Sequence, residues 1–274
     1  MKGRPTYRST SYEVLQTGQK GATLVRDLGF GVDVGGSAIK AGLVDLSSGD
    51  LQPDLRAVVT PTPSTPDAII AAVGRLPELL GPAPDIPVGI AIPAPVVHGV
   101  VPYMANLDQA WVGLDIPTFV QDRLGRAATV LNDADAAALG EVAFGAAKGA
   151  VGTVIVTTLG TGIGSGVVVD GVLVPNVELG HLVIDGRDAE SRASARQKNA
   201  ENLSWAQWAV RLQRYYSHVE KLFSPDLFVV GGAISVEAAR FLPLLDLRAP
   251  IVPATLGNRA GVVGAAYAAR TRSW

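Results

Sequence analysis

The chain has 274 residues, of which 48% are hydrophobic and 18% are charged, and this composition predicts a globular protein of one or two domains. The formal net charge of -2 and the lack of any long run of Lys or Arg argue against a nucleic-acid partner, which would be held by its phosphates. The chain has no cysteine, which excludes disulfides, thiolate nucleophiles and cysteine-based zinc sites. Such a chain suits a reducing compartment, so we expect a cytoplasmic protein.

The polar start of the chain, residues 1–27, carries some positive charge but no continuous apolar stretch. It is interpreted as a mobile arm rather than as a signal peptide. No later segment is apolar for the length that a membrane span requires. We therefore expect no membrane partner.

The first regular pattern is a strand, a glycine turn and a second strand. FGVDVGG is followed by SAIKAGLVDL and the turn signal SSGD, which together predict a β-hairpin from Leu28. A proline-rich loop then leads to an amphipathic helix, with Thr65 as its predicted cap and Pro66 as its first residue. PVGIAIPAP predicts a buried strand, and a second helix is predicted around Ile116 to Leu124.

The middle of the chain repeats this organisation. ATVLND predicts a short strand from which an alanine-rich helix leaves directly, and TVIVTTLGTGIGSGVVVDGVLV again alternates strands with glycine turns. The likeness to the opening hairpin predicts an internal duplication, with two similar halves facing each other across a cleft. A long helix around residues 202–223, a strand at DLFVVGG and a final helix over residues 259–270 complete an α/β pattern.

These patterns predict two domains. The smaller α/β domain spans residues 28–130 and the larger one spans residues 131–258. The last helix, within residues 259–272, is predicted to return to the smaller domain.

The glycine-rich string LGTGIGSG is not a dinucleotide-binding fingerprint, because it opens into a strand rather than a helix, and the chain has no P-loop motif. Its backbone N–H groups can instead form a concave nest for an anion. The same description fits Gly35, Gly36 and Ser37. Glycine turns commonly serve geometry alone, but two of matched form favour a shared anion such as phosphate.

Asp33 lies just before the first glycine turn, where a carboxylate would repel a bound phosphate. A divalent cation between them resolves this conflict, so we expect Asp33 to hold Mg²⁺ through water. The alternative interpretation is an aspartate that caps a turn.

Asn132 and Asp133 end a strand and precede a helix. An ordinary pair of helix-capping residues explains them. A general base that accepts the hydroxyl proton of a phosphoryl acceptor explains Asp133 equally well. The residues alone leave both interpretations open.

The string PNVELGH places Glu178 and His181 three residues apart, so that a helical turn would bring them onto one ligand. A carboxylate and an imidazole together suit the paired hydroxyls of a sugar. The alternatives are a hydrogen-bonded structural histidine and a zinc ligand. A zinc site lacks obvious partners, because His98 and His218 are far away in the sequence.

Five strings in fixed order carry a family resemblance: DVGGSAIK, the ND pair, LGTGIGSG, ELGH and VVGGAIS. They resemble the phosphate-1, catalytic, phosphate-2, sugar and adenosine motifs of the ROK sugar kinases, from about Phe30 to the C-terminus. Each string alone is weak, but the ordered set is specific. The resemblance implies the actin-like, ribonuclease H-like sugar kinase ATPase fold, in which two α/β domains flank a cleft.

The chain departs from typical family members after the His of ELGH. Those members carry a cysteine-rich zinc motif, whereas this chain reads HLVIDGRDAESRASARQ, so no zinc is expected. The strings LVPNVELGH, DGRDAE and LFSPDLFVVGGAIS resemble the polyphosphate glucokinases, including glucomannokinases that also use ATP. This implies Mg²⁺, polyphosphate or ATP as donor, and glucose or mannose as acceptor, with transfer to the 6-hydroxyl. Related sugar kinases are commonly homodimers, and the sequence leaves the oligomeric state open.

The resemblance also implies a role for individual residues. Asp133 is the implied general base. Sugar contacts are implied for Asn106, Asn132, Asp133, Glu178, His181 and Glu190. Donor-phosphate contacts are implied for Gly35, Gly36, Ser37, Lys40, Gly160, Thr161, Gly162 and Gly164, and a nucleoside border for Gly231, Gly232 and Ala233.

A polyphosphate chain would need a groove lined with cations. The candidates are Lys40, Lys148, Arg187, Arg192, Arg196 and Lys198, and a solvated basic face is the alternative for each of them.

Four alternative functions are a transcriptional repressor, a sugar sensor, an actin-like assembly subunit and a strictly ATP-dependent hexokinase. A transcriptional repressor of the same family would need a helix-turn-helix domain, for which the stretch before Leu28 is too short. A sugar sensor or an actin-like assembly subunit would not need both ND and ELGH. A strictly ATP-dependent hexokinase would share every motif, and only its donor would differ.

Overall fold

The computed structural model describes residues 27–52, 55–76 and 86–271. The arm predicted over residues 1–27 lies outside the described residues, apart from Asp27. No helix in these ranges is long and apolar enough to cross a membrane.

The first sheet is built from the strands β1 (Leu28–Val34), β2 (Ala38–Asp45), β3 (Asp50–Leu51), β4 (Arg56–Val59), β5 (Val88–Ile92) and β6 (Thr129–Asn132). β1 and β2 form the predicted hairpin and pair antiparallel along the whole of β1. β1 also pairs parallel with β5, and β5 pairs parallel with β6. β3 and β4 pair antiparallel with the other edge of β2.

The two helices predicted in the first half are confirmed. α1 (Pro66–Gly74) begins where the Thr65 hydroxyl accepts a hydrogen bond from the Ala68 N–H at 3.3 Å. Proline suits the first position of α1, where no intrahelical N–H bond is required. The buried side chains of α1 and of α2 (Ile116–Leu124) pack against β1 and β5 in one apolar core.

The second half contributes the strands β7 (Thr153–Leu159), β8 (Ile163–Val169), β9 (Val172–Val174), β10 (Val183–Ile184), β11 (Arg187–Asp188), β12 (Leu227–Gly231) and β13 (Ile251–Pro253). β7, β8 and β9 are antiparallel neighbours, and β12 joins β7 and β13 in parallel. β10 and β11 pair with each other as a separate ribbon. The second sheet therefore repeats the strand orientations of the first, in agreement with the predicted duplication.

The helices of the second half are α3 (Asp133–Phe144), α4 (Glu190–Ala193), α5 (Ala195–Ala200), α6 (Trp205–Phe223) and α7 (Ala260–Thr271). α6 covers the second sheet, where Trp208, Tyr216 and Phe228 pack in a core separate from the first. Its first turn has a capping box, in which Ser204 and Gln207 satisfy each other's backbone N–H groups.

α3 and α7 lie side by side between the two sheets. α7 packs on β1 and β5, and α3 packs on β7 and β8. The close approach requires glycine, because a Cβ on Gly264 would overlap the carbonyl oxygen of Ala136. The resulting order of layers is sheet, α7, α3, sheet, and the start of α3 lies where the two sheets face each other. The division into domains at residue 131 stays a prediction.

Candidate active site

A cavity of about 480 Å³ lies between the two halves. Both glycine turns, the start of α3 and the segment after β9 contribute to its wall. The sequence-predicted residues that line it are Gly35, Gly36, Ser37, Asn106, Asn132, Asp133, Gly160, Thr161, Gly162, Gly164, Glu178, His181, Glu190 and Gly232. One cavity thus brings together the residues expected to bind the donor and the sugar.

Asn132 and Asp133 occupy the junction between β6 and α3. The Asn132 Oδ1 atom accepts hydrogen bonds from the N–H groups of Ala134 at 2.7 Å and Asp135 at 3.1 Å, so Asn132 is the N-cap of α3. Asp133 is the first helical residue and lines the cavity. The capping interpretation therefore holds for Asn132 and does not account for the Asp133 carboxylate.

The pKa of Asp133 is raised from 3.8 to about 7. Burial is the largest cause, followed by the negative charge of Asp33, and Glu178 and Asp135 add to it, whereas a hydrogen bond from the Ala134 N–H acts in the opposite direction. A carboxylate that titrates near neutral pH is well matched to accept a proton during catalysis.

Asp33 and Lys40 are opposite each other in the β1–β2 register, and the Lys40 Nζ atom lies 3.0 Å from the Asp33 Oδ2 atom. Neither residue belongs to the cavity lining. The charge of Asp33 nevertheless reaches Asp133 and raises its pKa. This concentration of carboxylate oxygens fits a hard divalent cation such as Mg²⁺, which would neutralise it.

The second glycine turn packs against the carboxylate of Glu190 at Gly162. A Cβ at this position would collide with the carboxylate of Glu190. The turn is closed by a hydrogen bond from the Gly160 N–H to the Gly162 carbonyl at 3.0 Å. Glu190 is therefore held directly against the predicted phosphate-binding backbone.

Glu178 and His181 both line the cavity, and residues 179–181 form a 3₁₀ turn. The His181 Nδ1 atom lies 2.9 Å from the Asp188 Oδ2 atom, and this hydrogen bond is the main cause of a raised His181 pKa. Burial raises the pKa of Glu178, and the charge of His181 opposes that shift. The Glu190 Oε2 atom accepts from the Ile163 N–H at 3.1 Å, which ties it to the second glycine turn.

His181, Asp188 and Glu190 place one potential ligand atom each within 4.8 Å of one another, a spacing that could hold a metal ion. Hydrogen bonds already engage the Asp188 carboxylate, the His181 Nδ1 atom and one oxygen of Glu190. Asp188 accepts from His181 and from the Ser191 N–H at 3.0 Å, and Glu190 accepts from Ile163. These hydrogen bonds explain the arrangement of the three side chains without a metal ion.

The predicted nucleoside border lies at the end of β12. Gly232 lines the cavity and has a φ of 82°, whereas Gly231 ends the strand and Ala233 begins a 3₁₀ helix over Ala233–Arg240. Gly231 and Ala233 are not part of the cavity lining.

The six candidate cations for polyphosphate have different surroundings. Among the described residues, Arg196 is the one of the six that lines the cavity, and its N–H donates to the Gly160 carbonyl at 3.0 Å. Lys40 pairs with Asp33, and the Lys198 ammonium lies 4.1 Å from the Trp205 ring centre. Arg187, Arg192 and Lys148 are exposed.

Several lining residues were not predicted as part of the site. They are Pro93, Ala94, Pro95, Tyr103, Ala105, Thr158 and Ile163. Pro93 to Pro95 directly follow the carboxyl end of β5, so the rule that ligands lie at strand ends could have found them. Tyr103, whose pKa is raised by burial and by the charge of Glu178, lies in a loop without a pattern.

A cleft between two duplicated sheets, lined by two glycine hairpins, defines the actin-like ATPase fold of sugar kinases. The pattern of the ROK family matches residues 29–198, and the chain belongs to this family.

Three proteins illustrate the similarity. The polyphosphate glucokinase of Mycobacterium tuberculosis is 44% identical over 261 residues, which cover 95% of this chain and 97% of that protein. The crystal structure of the inorganic polyphosphate/ATP-glucomannokinase from Arthrobacter sp. strain KM is 50% identical, with a TM-score of 0.84 over 89% of this chain and 99% of that one. The ROK family glucokinase of Streptomyces griseus, solved with glucose and AMPPNP, is 28% identical, with a TM-score of 0.75 and the same coverage.

Proposed function

We propose that this protein is a polyphosphate- and ATP-dependent glucokinase that transfers a phosphoryl group to the 6-hydroxyl of glucose. The names of its similar relatives support the donor and the acceptor. The observation that carries the proposal is the position of Asp133, a carboxylate with a pKa of about 7 in a cavity shared by both glycine turns and the Glu178–His181 turn.

The proposed chemistry is an in-line displacement. The oxygen of the sugar hydroxyl bonds to the terminal phosphorus of the donor, and the bond from that phosphorus to its bridging oxygen breaks. The hydroxyl proton moves to the Asp133 carboxylate. The shortened polyphosphate or ADP leaves with the bridging oxygen.

The sugar is proposed to bind through Asn106, Asn132, Glu178, His181 and Glu190. Because the Asn132 Oδ1 atom accepts from the start of α3, its Nδ2 atom is the one that would donate to a sugar oxygen. Asp188 holds the Nδ1 side of the His181 ring, which leaves Nε2 for a hydroxyl. A site built to hydrogen-bond the hydroxyls of one sugar discriminates strongly against sugars that leave its polar groups unpaired.

The donor phosphates are proposed to lie against the backbone N–H groups of both glycine turns. Asp33 would hold Mg²⁺ through water, and the ion would neutralise the charge of the donor. Arg196 would contact a polyphosphate chain as it leaves the cavity. Mannose as a second acceptor, a homodimer and a cytoplasmic location complete the proposal.

A matrix of initial rates, with glucose or mannose as acceptor and ATP or polyphosphate as donor, tests this function. We expect transfer from both donors and mutual competition, because both would use the same glycine turns. Polyphosphate activity should fall more steeply with added salt, because more charges are screened at once. Transfer from ATP without any transfer from polyphosphate would reduce the protein to an ATP-dependent hexokinase.

A further inference from the structure

Asn176 connects two parts of the chain that are far apart in sequence. Its side-chain Oδ1 atom accepts from the Val96 N–H at 2.8 Å, and its Nδ2 atom donates to the Val96 carbonyl at 3.0 Å. The amide therefore satisfies both backbone groups of one residue, as a neighbouring strand would. Asn176 adopts a left-handed backbone conformation with a φ of 59°, which asparagine tolerates better than most residues.

Asp135 holds the backbone of Asn176 from the other side. Its Oδ2 atom accepts from the Asn176 N–H at 2.8 Å, and the residue is 1% exposed. Its Oδ1 atom is buried and has no hydrogen-bond partner among the described residues. A buried carboxylate with one oxygen that accepts no hydrogen bond lowers the stability of the folded protein, because its lost hydration is not fully replaced. Fold stability alone therefore does not explain Asp135.

The three connected segments all contribute residues to the lining of the cavity. Asp135 follows the base Asp133 by two residues, and Asn176 precedes Glu178 by two. Val96 directly follows Pro93–Pro95, which line the cavity. The two hydrogen bonds of the Asn176 amide and the one from its backbone thus fix the base, the sugar carboxylate and the cavity wall relative to one another.

We propose that Asn176 and Asp135 are positioning residues that set the affinity of the cavity for the acceptor sugar. This inference rests on the proposed function, since it assigns the acceptor to this side of the cavity. Neither residue needs to touch the sugar. Their contribution is the alignment of three separate segments, and a displacement of about 1 Å in such an arrangement has a large effect on a polar site.

The first test replaces the amide and keeps the backbone. Asn176→Gly removes the bonds to Val96, and glycine accepts a φ of 59° without strain. The matched control is Asn202→Gly, because Asn202 is an exposed asparagine with a similar φ of 51°. We expect the dissociation constant of glucose, measured by calorimetry, to rise about tenfold for Asn176→Gly and to change less than about twofold for the control. Equal affinities in both variants would overturn the proposal.

The second test uses Asp135 and separates positioning from folding. Asp135→Asn keeps an oxygen that accepts from the Asn176 N–H, whereas Asp135→Ala removes it. We expect Asp135→Asn to keep the glucose affinity of the parent and Asp135→Ala to weaken it about tenfold, with KM for the donor unchanged in both. If both variants lowered the melting temperature and left glucose affinity intact, Asp135 would be a structural residue and the proposal would be wrong.

A wrong proposed function would give a different experimental result from a wrong positioning role. In that case the parent protein itself would not phosphorylate glucose. An active parent whose Asn176→Gly variant binds glucose normally would refute the positioning role alone. If Asn176→Gly does not fold, Asn176→Asp serves instead, because it places an oxygen against the Val96 carbonyl and should weaken glucose binding to a similar extent.

Discussion

Asp133→Asn is the substitution that most directly tests Asp133 as the general base. The amide keeps the shape of the side chain but cannot accept the hydroxyl proton as a carboxylate does. We expect the rate of phosphoryl transfer to fall by about 10²–10⁴, the usual contribution of a general base, while glucose affinity stays within about tenfold. A coupled assay for glucose 6-phosphate measures the rate, and calorimetry measures the affinity.

The stability of the same variant provides an independent prediction. The pKa of Asp133 rises from 3.8 to about 7 on folding. At neutral pH, ionised Asp133 is therefore less favourable in the folded state than in the unfolded chain by up to ~4 kcal/mol. A favourable carboxylate charge at a helix N-terminus contributes only about 0.3–1 kcal/mol. Because burial outweighs the helix effect, Asp133→Asn should not lower the melting temperature at pH 7.

The sign of the pH dependence follows from the same shift. The folded state binds the Asp133 proton more tightly than the unfolded chain, so this residue makes the protein less stable as pH rises from about 4 to 7. The log of kcat/KM should rise with pH below about 7 and level off above it, because the ionised carboxylate is the active form. Asp122→Asn, at an exposed position of α2, is the matched control. If Asp133→Asn retained a rate within severalfold of the parent, Asp133 would not be the general base.

Four further substitutions follow from the geometry. Glu178→Ala and His181→Ala should each weaken glucose binding with little change in melting temperature, and unchanged affinity in both would place the sugar elsewhere. Asp188→Asn should lower the His181 pKa, measured by NMR titration, because the hydrogen bond from the ring then ends on a neutral group. Gly264→Ala should reduce the free energy of unfolding by about 1–3 kcal/mol, measured with denaturant, because its Cβ overlaps the Ala136 carbonyl; an unchanged midpoint would contradict the packing of α3 against α7.

The local elements were largely predictable from the sequence. The hairpins, the Thr65 cap and the helix after Asn132 each have a signal within a few residues, and the structure confirms them. The Asp33–Lys40 ion pair could also have been predicted from the hairpin register, which places the two residues opposite each other. The short β10–β11 ribbon and helices α4 and α5 were not predicted, because elements of two to six residues have no measurable periodicity.

The contacts between distant segments were not predictable in the same way. Nothing near Asn176 indicates that its amide bonds to Val96, 80 residues earlier. The residue pair Asp188 and His181 is close in sequence, but their hydrogen bond depends on the ribbon between them. The structure places Glu190 and Asn106 in the cavity lining. Their sugar-binding roles come from the family resemblance and stay predictions.

The most direct test of the proposed function is the identification of the product from glucose, Mg²⁺ and inorganic polyphosphate by ³¹P NMR. We predict a phosphomonoester at the 6-position of glucose, formed by the parent protein and formed about 10²–10⁴ times more slowly by Asp133→Asn. Inorganic phosphate as the main product, or no reaction of polyphosphate and ATP with glucose, would contradict a polyphosphate- and ATP-dependent glucokinase.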